Sequence, residues 1–420
     1  MALSQFLPGG QVQRRDRFRK YMRAFNPTAR AQDVIDAGLV FEALHQSVHL
    51  NLAGRADLEP GSQQLLVGGI GSGKTTELLL AMRWLQLQGN VLPLYIDITA
   101  ETDLSGLNSG SLLASFGIRL ANFLRRSSEL TSEKAQHVKG LDRKIREYAY
   151  GKTETVWVTY DDEPPDPDED DDTESERGYY TTRRIPGKLT PPLPVMLRDI
   201  RNIREPLNEL LDAGREVHKD IVVIFDGLDR LLAPDKFLSV VYQDLRLFRT
   251  LKVSVLATAP ISILYGVGRP VAEHFDRVQH IPVIGAGTGE RFLQSVLEKR
   301  GGYELLSQAE ADSICHFSGG VLRDLISLAR DAAEEAYVSG QETITARDVD
   351  KVVHQLGTSY QRGLGPAAIK ALTRLDKLGS FDLGRSENVE LLVTRRVLEY
   401  SSTHFRVHPA LMSVILSNKD

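Results

Sequence analysis

At 420 residues with 42% hydrophobic side chains, the chain is long enough to bury a full core and to divide into two or three domains. Its single cysteine, Cys315, excludes a disulfide framework and a Cys-based zinc site; no stretch reaches the roughly 18 apolar residues of a membrane span, and Met1 to Gly10 lacks a signal-peptide apolar run, so a soluble cytoplasmic protein with no membrane partner is expected. The net charge of -5 hides a division, because Asp161 to Glu176 carries eleven carboxylates and no Lys or Arg, which leaves the remainder of the chain net positive.

Arg14, Arg15, Arg17, Arg19, Lys20 and Arg23 are interleaved with Phe18, Tyr21 and Phe25 up to the Asn26-Pro27 turn. This basic-aromatic segment, residues 1–34, is either an arm or a first helix. A helix is expected over Val40 to Leu50, and the short run Gln64 to Val67 reads as a buried strand. Leu78, Ala81, Met82 and Leu85 then fall on one helical face. Val91 to Ile98 reads as a strand, Leu112 to Leu124 as a helix, Ile221 to Phe225 as an apolar strand closed by Asp226, and Val253 to Ala257 and Val278 to Val283 as further strands. Apolar strands alternating with helices predict a parallel sheet covered on both faces. The expected fold is therefore α/β, a P-loop core over residues 35–285.

An insertion at about 127–190 interrupts this core. In it, Val156 to Tyr160 and Tyr179 to Ile185 look like paired strands around the acidic tip at 161–176. Residues 286–358 read as an α-helical lid, with Leu322, Leu325, Ala329 and Ala332 on one stripe. Residues 359–420 suit a winged helix: a helix near Ala367 to Leu378, a strand-like Leu391 to Tyr400, a turn at Ser401 to His404 and a return at Phe405 to Val407. No second helix with a basic face stands out there.

Gly68-Gly69-Ile70-Gly71-Ser72-Gly73-Lys74-Thr75 fits G-x-x-x-x-G-K-[ST]. Its glycines let consecutive backbone N–H groups turn inward around phosphate oxygens at a helix N-terminus. Lys74 would reach the β- and γ-phosphates, Thr75 would ligate Mg²⁺, and Thr76 completes the candidate ATP-binding set. Asp226 ends an apolar strand where this fold class needs a carboxylate to hold Mg²⁺ through water. Asp229, three residues on, either positions the attacking water or caps the next segment.

Together with Asp226-Gly227-Leu228-Asp229, Thr258 at a strand end, Arg277 before the fifth strand and Gly319-Gly320-Val321-Leu322-Arg323, the phosphate loop makes residues 35 to 420, insertion excepted, resemble an AAA+ or STAND-type ATPase. The likeness is to the branch with a C-terminal winged helix, which includes initiator ATPases and STAND regulators. It implies that Thr258 is the sensor-1 residue near the γ-phosphate, Arg323 the sensor-2 arginine of the lid, and Arg277 the arginine finger reaching a neighbouring subunit's ATP. Many AAA+ motors follow the Mg²⁺ aspartate directly with glutamate, but here Gly227 stands there. That departure is similar to the STAND pattern and implies slow, switch-like hydrolysis; a defence or antiviral complex follows only by analogy of fold.

His45 and His49 have the i, i+4 spacing of a metal pair but no third ligand. Cys315 beside His316 points elsewhere than its neighbour and reads as structural. DNA is a candidate partner of the N-terminal segment, or of Arg395, Arg396 and Arg406 in the winged helix, and the acidic hairpin is a candidate surface for a basic protein. Three functions compete: a nucleotide-controlled homo-oligomerisation switch, a DNA-binding loader-like ATPase, and a scaffold that binds ATP without hydrolysing it.

Overall fold

The computed structural model describes residues 8–26, 48–101, 104–127, 130–151, 153–159, 178–184, 200–265, 268–285 and 288–417. Pro27, His45, the Val40 to Ser47 part of the expected helix and the acidic tip at 161–176 lie outside these residues.

Five parallel strands form the central sheet: β1 (Gln63–Gly68), β2 (Val91–Asp97), β5 (Asp220–Asp226), β6 (Ser254–Ala259) and β7 (Arg277–Ile281), in the order β2-β5-β6-β1-β7. Counting only these five in chain order, the sheet reads 2-3-4-1-5, so the strand before the phosphate loop lies between the fourth and fifth. Alternate side chains leave opposite faces, and both faces are covered. Leu65, Val67, Val223, Phe225 and Val255 pack on one side under helices α4 (Ser111–Leu124), α6 (Arg201–Val217) and α7 (Pro234–Thr250). Leu66, Val222, Ile224 and Leu256 pack on the other under α2 (Val48–Leu58) and α3 (Lys74–Gln88). Double burial is why these strands read as unbroken apolar runs. The fold is a P-loop α/β core.

The insertion is not a hairpin alone. Helix α5 (Ser132–Tyr150) precedes the antiparallel pair β3 (Thr153–Thr159) and β4 (Gly178–Arg184), and α6 follows it. Val138, Leu141 and Ile145 bury one stripe of α5 in the core cluster beside α4. Thr131 caps that helix by accepting from the Lys134 backbone N–H, the usual role of a hydroxyl at this position.

Helices α8 (Thr288–Gly301), α9 (Gln308–Phe317), α10 (Leu322–Val338) and α11 (Ala346–Gln361) share a second core cluster and form a helical bundle, termed the lid. The basic-aromatic segment is its fifth helix, α1 (Pro8–Ala24), rather than a free arm. Phe18, Tyr21 and Phe25 are buried among Leu297, Leu325 and Ala329. Arg14 donates to the carbonyls of Ala336 (3.2 Å) and Tyr337 (2.9 Å) at the end of α10, where a cation meets the negative end of the helix dipole. Arg17 pairs with Glu304 at 2.6 Å. Arg15, Arg19, Lys20 and Arg23 remain exposed.

The C-terminal unit contains α12 (Pro366–Leu378), α13 (Ser386–Val393), the hairpin β8 (Val397–Ser401) with β9 (His404–Val407), and α14 (Pro409–Ser417). The expected strand over Leu391 to Tyr400 is corrected in its first half. Asn388, Leu391 and Leu392 are buried on one face of α13, and Arg395, at φ 62°, turns the chain before β8 starts.

Candidate active site

The phosphate loop joins β1 to α3 beneath the lid. Gly71 has φ 84°, and a Cβ there would come within 2.9 Å of both Arg323 Cβ and Val321 Cγ1, so only glycine lets the lid approach this closely. The Gly71 carbonyl accepts from Leu322 N–H at 3.2 Å. Lys74 is nearly buried, its Nζ donating to the Gly68 carbonyl at 3.0 Å and the Gly69 carbonyl at 2.9 Å. Ser72 Oγ is buried with no hydrogen-bond partner among the described residues.

Asp226 lies beside this loop because β5 ends there. Its Oδ2 accepts from Tyr95 Oη at 2.8 Å, its Oδ1 accepts from Gly227 N–H at 2.8 Å, and Thr75 hydrogen-bonds it as well. Burial pushes its carboxyl above the ordinary range, and the charge of Asp229 adds to this, against the hydrogen bonds from Thr75, Tyr95 and Gly227. A cation at Thr75 and Asp226 would relieve that penalty. Among the described residues no group of three or more His, Cys, Asp or Glu is placed to hold a metal.

Gly227 has φ 86°, and a Cβ on it would sit 2.5 Å from Thr99 Cγ2. A glutamate at this position would be strained in its backbone and would have to displace the Thr99 methyl. The same left-handed turn starts the 3₁₀ segment Leu228–Arg230, which brings Asp229 Oδ2 to 2.9 Å from Lys74 Nζ. Lys74, Thr75, Asp226, Asp229 and Arg323 thus line one cavity of about 1500 Å³ between core and lid. Burial and the nearby charges of Arg395 and Arg230 push the Arg323 guanidinium below its ordinary value, partly offset by Asp229 and Asp324.

Two sequence candidates lie elsewhere. Thr258 is fully buried behind the Gly227 turn, its Oγ1 accepting from Leu228 N–H at 3.1 Å, and it is not among the cavity-lining residues. Arg277 begins the edge strand β7 opposite Gln64, while Ile281 stands opposite Gly68. That places Arg277 about 13 Å along the sheet from its own phosphate loop. Its Nη2 donates to Gln279 Oε1 at 3.3 Å.

Arg395 pairs with buried Asp324 at 2.6 Å, Arg396 donates to the carbonyls of Tyr360 (2.8 Å) and Arg362 (2.6 Å), and Arg406 contacts His404 Nε2 at 2.9 Å. His49 Nδ1 lies 3.2 Å from Glu77 Oε2. Burial pushes the Cys315 thiol up to about 12. Among the cavity residues that sequence reasoning missed are Tyr95, Asp97 and Arg230. Asp97 carried a readable signal, since it ends β2 as Asp226 ends β5 and the two pair in register.

No protein-family model and no curated protein matches the sequence. Among solved structures, the chain is similar to the Orc1 protein of Aeropyrum pernix in complex with DNA, at 14% identity over 91% of this chain and 94% of that one, TM-score 0.43. It is similar to Cdc6p from Pyrobaculum aerophilum, at 12% identity over 94% and 98%, TM-score 0.43. The Thermotoga maritima RuvB Holliday junction branch migration motor gives 14% identity over 90% and 98%, TM-score 0.36. Likeness at this level carries no functional information about this chain, whose fold stands on its own sheet order and phosphate loop.

Proposed function

We propose that this chain is an AAA+-type, Mg²⁺-dependent ATPase whose slow turnover controls a homo-oligomerisation switch. The observation that carries the reading is the placement of Asp229 beside Lys74 in a turn where Gly227, at φ 86°, would be strained by a glutamate. Lys74 and the loop N–H groups would hold the phosphates, and Thr75 with Asp226 would hold the metal. Bound Mg²⁺ would neutralise phosphate charge and polarise the terminal phosphoryl group. Asp229 would orient the attacking water, and freeing it from Lys74 would be part of loading the site. Arg323 would tie the lid to the nucleotide, which makes the core–lid angle depend on what is bound. Arg277, too far from its own loop, would act on a neighbour's ATP. Thr258 would act indirectly, by holding Leu228 and hence the Asp229 turn.

A second reading, DNA binding, is favoured by one observation only: Arg15, Arg19, Lys20 and Arg23 form an exposed cationic ridge on α1. The helix α13, by contrast, carries Glu387 and Glu390. One experiment separates the readings, namely turnover and molecular mass measured with ATP, a slowly hydrolysed analogue and ADP, with and without duplex DNA. The switch predicts assembly with the analogue that ADP reverses, and a monomer in every nucleotide state would overturn it. Turnover stimulated by DNA and steeply reduced by salt would favour the second reading.

A further inference from the structure

The turn that delivers Asp229 to Lys74 also delivers the next side chain, Arg230. It lines the same cavity as Lys74, Thr75 and Arg323. It is exposed, and neither it nor Arg323 donates a hydrogen bond to a described residue. Of the other arginines nearby, Arg395 is spent on Asp324 at 2.6 Å and Arg300 donates to the Ala24 carbonyl at 2.9 Å, while Arg119 and Arg126 line the cavity from α4 and the residues just after it. Arg230 and Arg323 come from different parts of the molecule, one from the turn that carries Asp229 and one from the N-terminus of α10.

Charge balance makes this pairing informative. Around the head of the phosphate loop stand Lys74, Arg230 and Arg323, against Asp97 and Asp229 once Asp226 is set aside for a metal. Two guanidiniums lining one cleft are by themselves an unfavourable arrangement of like charges. An anion with several oxygens turns it favourable, because a guanidinium fork binds such oxygens in pairs. The loop N–H groups would serve the phosphates nearest the α3 N-terminus. Arg230 follows directly on Asp229, whose Oδ2 is 2.9 Å from Lys74 Nζ, and it shares the cavity with Arg323.

We infer that Arg230 contacts the terminal phosphate of a bound nucleoside triphosphate in cis, together with Arg323, and so sets the preference for tri- over diphosphate. This rests on the ATP reading above. Arg230 is then a specificity residue, and the turn Gly227 to Arg230 supplies two functions at once: a carboxylate for water and a cation for phosphate. It also explains what an Arg adds directly after Asp229, where a neutral residue would serve the turn equally well.

The test is a titration of fluorescent ADP and of a fluorescent, slowly hydrolysed ATP analogue into wild type, Arg230→Ala and Arg230→Lys, all in the full chain with Mg²⁺. Arg230→Ala is expected to weaken the triphosphate about 10–100-fold, the range of a lost charge-assisted hydrogen bond. Its ADP affinity is expected to stay within about twofold of wild type, which also reports an intact site. Arg230→Lys is expected to recover part of the loss, since charge returns without the fork. Equal weakening of both nucleotides, or no change in either, overturns the assignment of Arg230 while leaving the ATP reading in place. Wild-type protein that binds neither nucleotide overturns both. Should Arg230→Ala fail to fold, Arg230→Lys decides: a selective triphosphate loss supports the inference, and an unchanged preference overturns it.

Discussion

Arg323 and Asp324 are neighbours in sequence, yet they belong to two clusters of opposite character. Arg323 enters a cavity where cations outnumber the carboxylates left for them. Asp324 enters a closed knot, accepting from Arg395 Nη1 (2.6 Å) and Tyr360 Oη (2.6 Å) and lying 3.2 Å from His408 Nε2. Every oxygen there is used. Buried polar groups that are fully satisfied mark a joint, whereas partly satisfied ones mark a place kept for a ligand. One helical turn of α10 therefore couples two tasks: it faces the phosphate loop with Arg323 and pins the C-terminal unit with Asp324. Tyr400 Oη, donating to the Gly319 carbonyl at 2.7 Å, fastens the same segment from β8.

The largest effect that would break this division lies in the open cluster. Asp229→Asn should lower turnover by about 10²–10⁴, the usual worth of a positioned base. Nucleotide binding should persist, because the substitution also frees Lys74 from its ion pair. Steady-state hydrolysis and an equilibrium titration on the same sample check both halves, and unchanged hydrolysis would remove Asp229 from the mechanism.

Next in size is the closed knot. Asp324→Ala leaves Arg395 and His408 without their shared anion and should cost about 3–5 kcal/mol of stability, as when one partner of a buried pair is removed. Urea unfolding reads the loss. Nucleotide affinity should change little; a parallel collapse of affinity would merge the two clusters into one.

How much of this was readable from sequence follows the range of the interactions. The strands of the core sheet were legible because burial on both faces writes itself as local apolar runs, and the phosphate loop because its chemistry is contiguous. Helix α13 was misread since Leu391, Leu392 and Val393 are as compatible with a strand as with a helix, and only the burial of Asn388, Leu391 and Leu392 together decides it. The arginines of the C-terminal unit could not be interpreted at all from sequence: Arg395 finds its carboxylate 71 positions away. Arg14, Phe18 and Tyr21 belong to the lid for the same reason, since their partners lie near the far end of α10 and in α8. The neighbourhood of Arg230 became visible only when the Gly227 turn was seen to face the lid.

The smallest effect concerns pH, and it compares Asp324 with another buried carboxylate, Asp244. Asp244 caps α4 from α7, accepting from the Leu112 and Leu113 N–H groups at 3.0 and 3.4 Å and from Gly110 and Ser109, with no cation beside it. Burial outweighs those bonds and raises it to about 7. Burial also pushes Asp324 up, but the hydrogen bond from His408 and the charge of Arg395 outweigh it, and Asp324 ends below the ordinary range. The signs are therefore opposite. The folded state holds the Asp244 proton longer than the unfolded chain, so its contribution is fully present below about pH 4 and is lost as pH rises toward 7. Asp324 contributes fully above about pH 4, and its contribution disappears as pH falls through the lower folded value, at about 1.4 kcal/mol per unit of depression. Unfolding free energies measured from pH 3 to 8 on wild type and Asp324→Asn should differ by a steep acid limb present only in wild type. The decline from about pH 4 to 7 should be common to both. If the acid limb survived in Asp324→Asn, the knot would owe its stability to packing and neutral hydrogen bonds, and the contrast with the open cluster would lose its electrostatic basis.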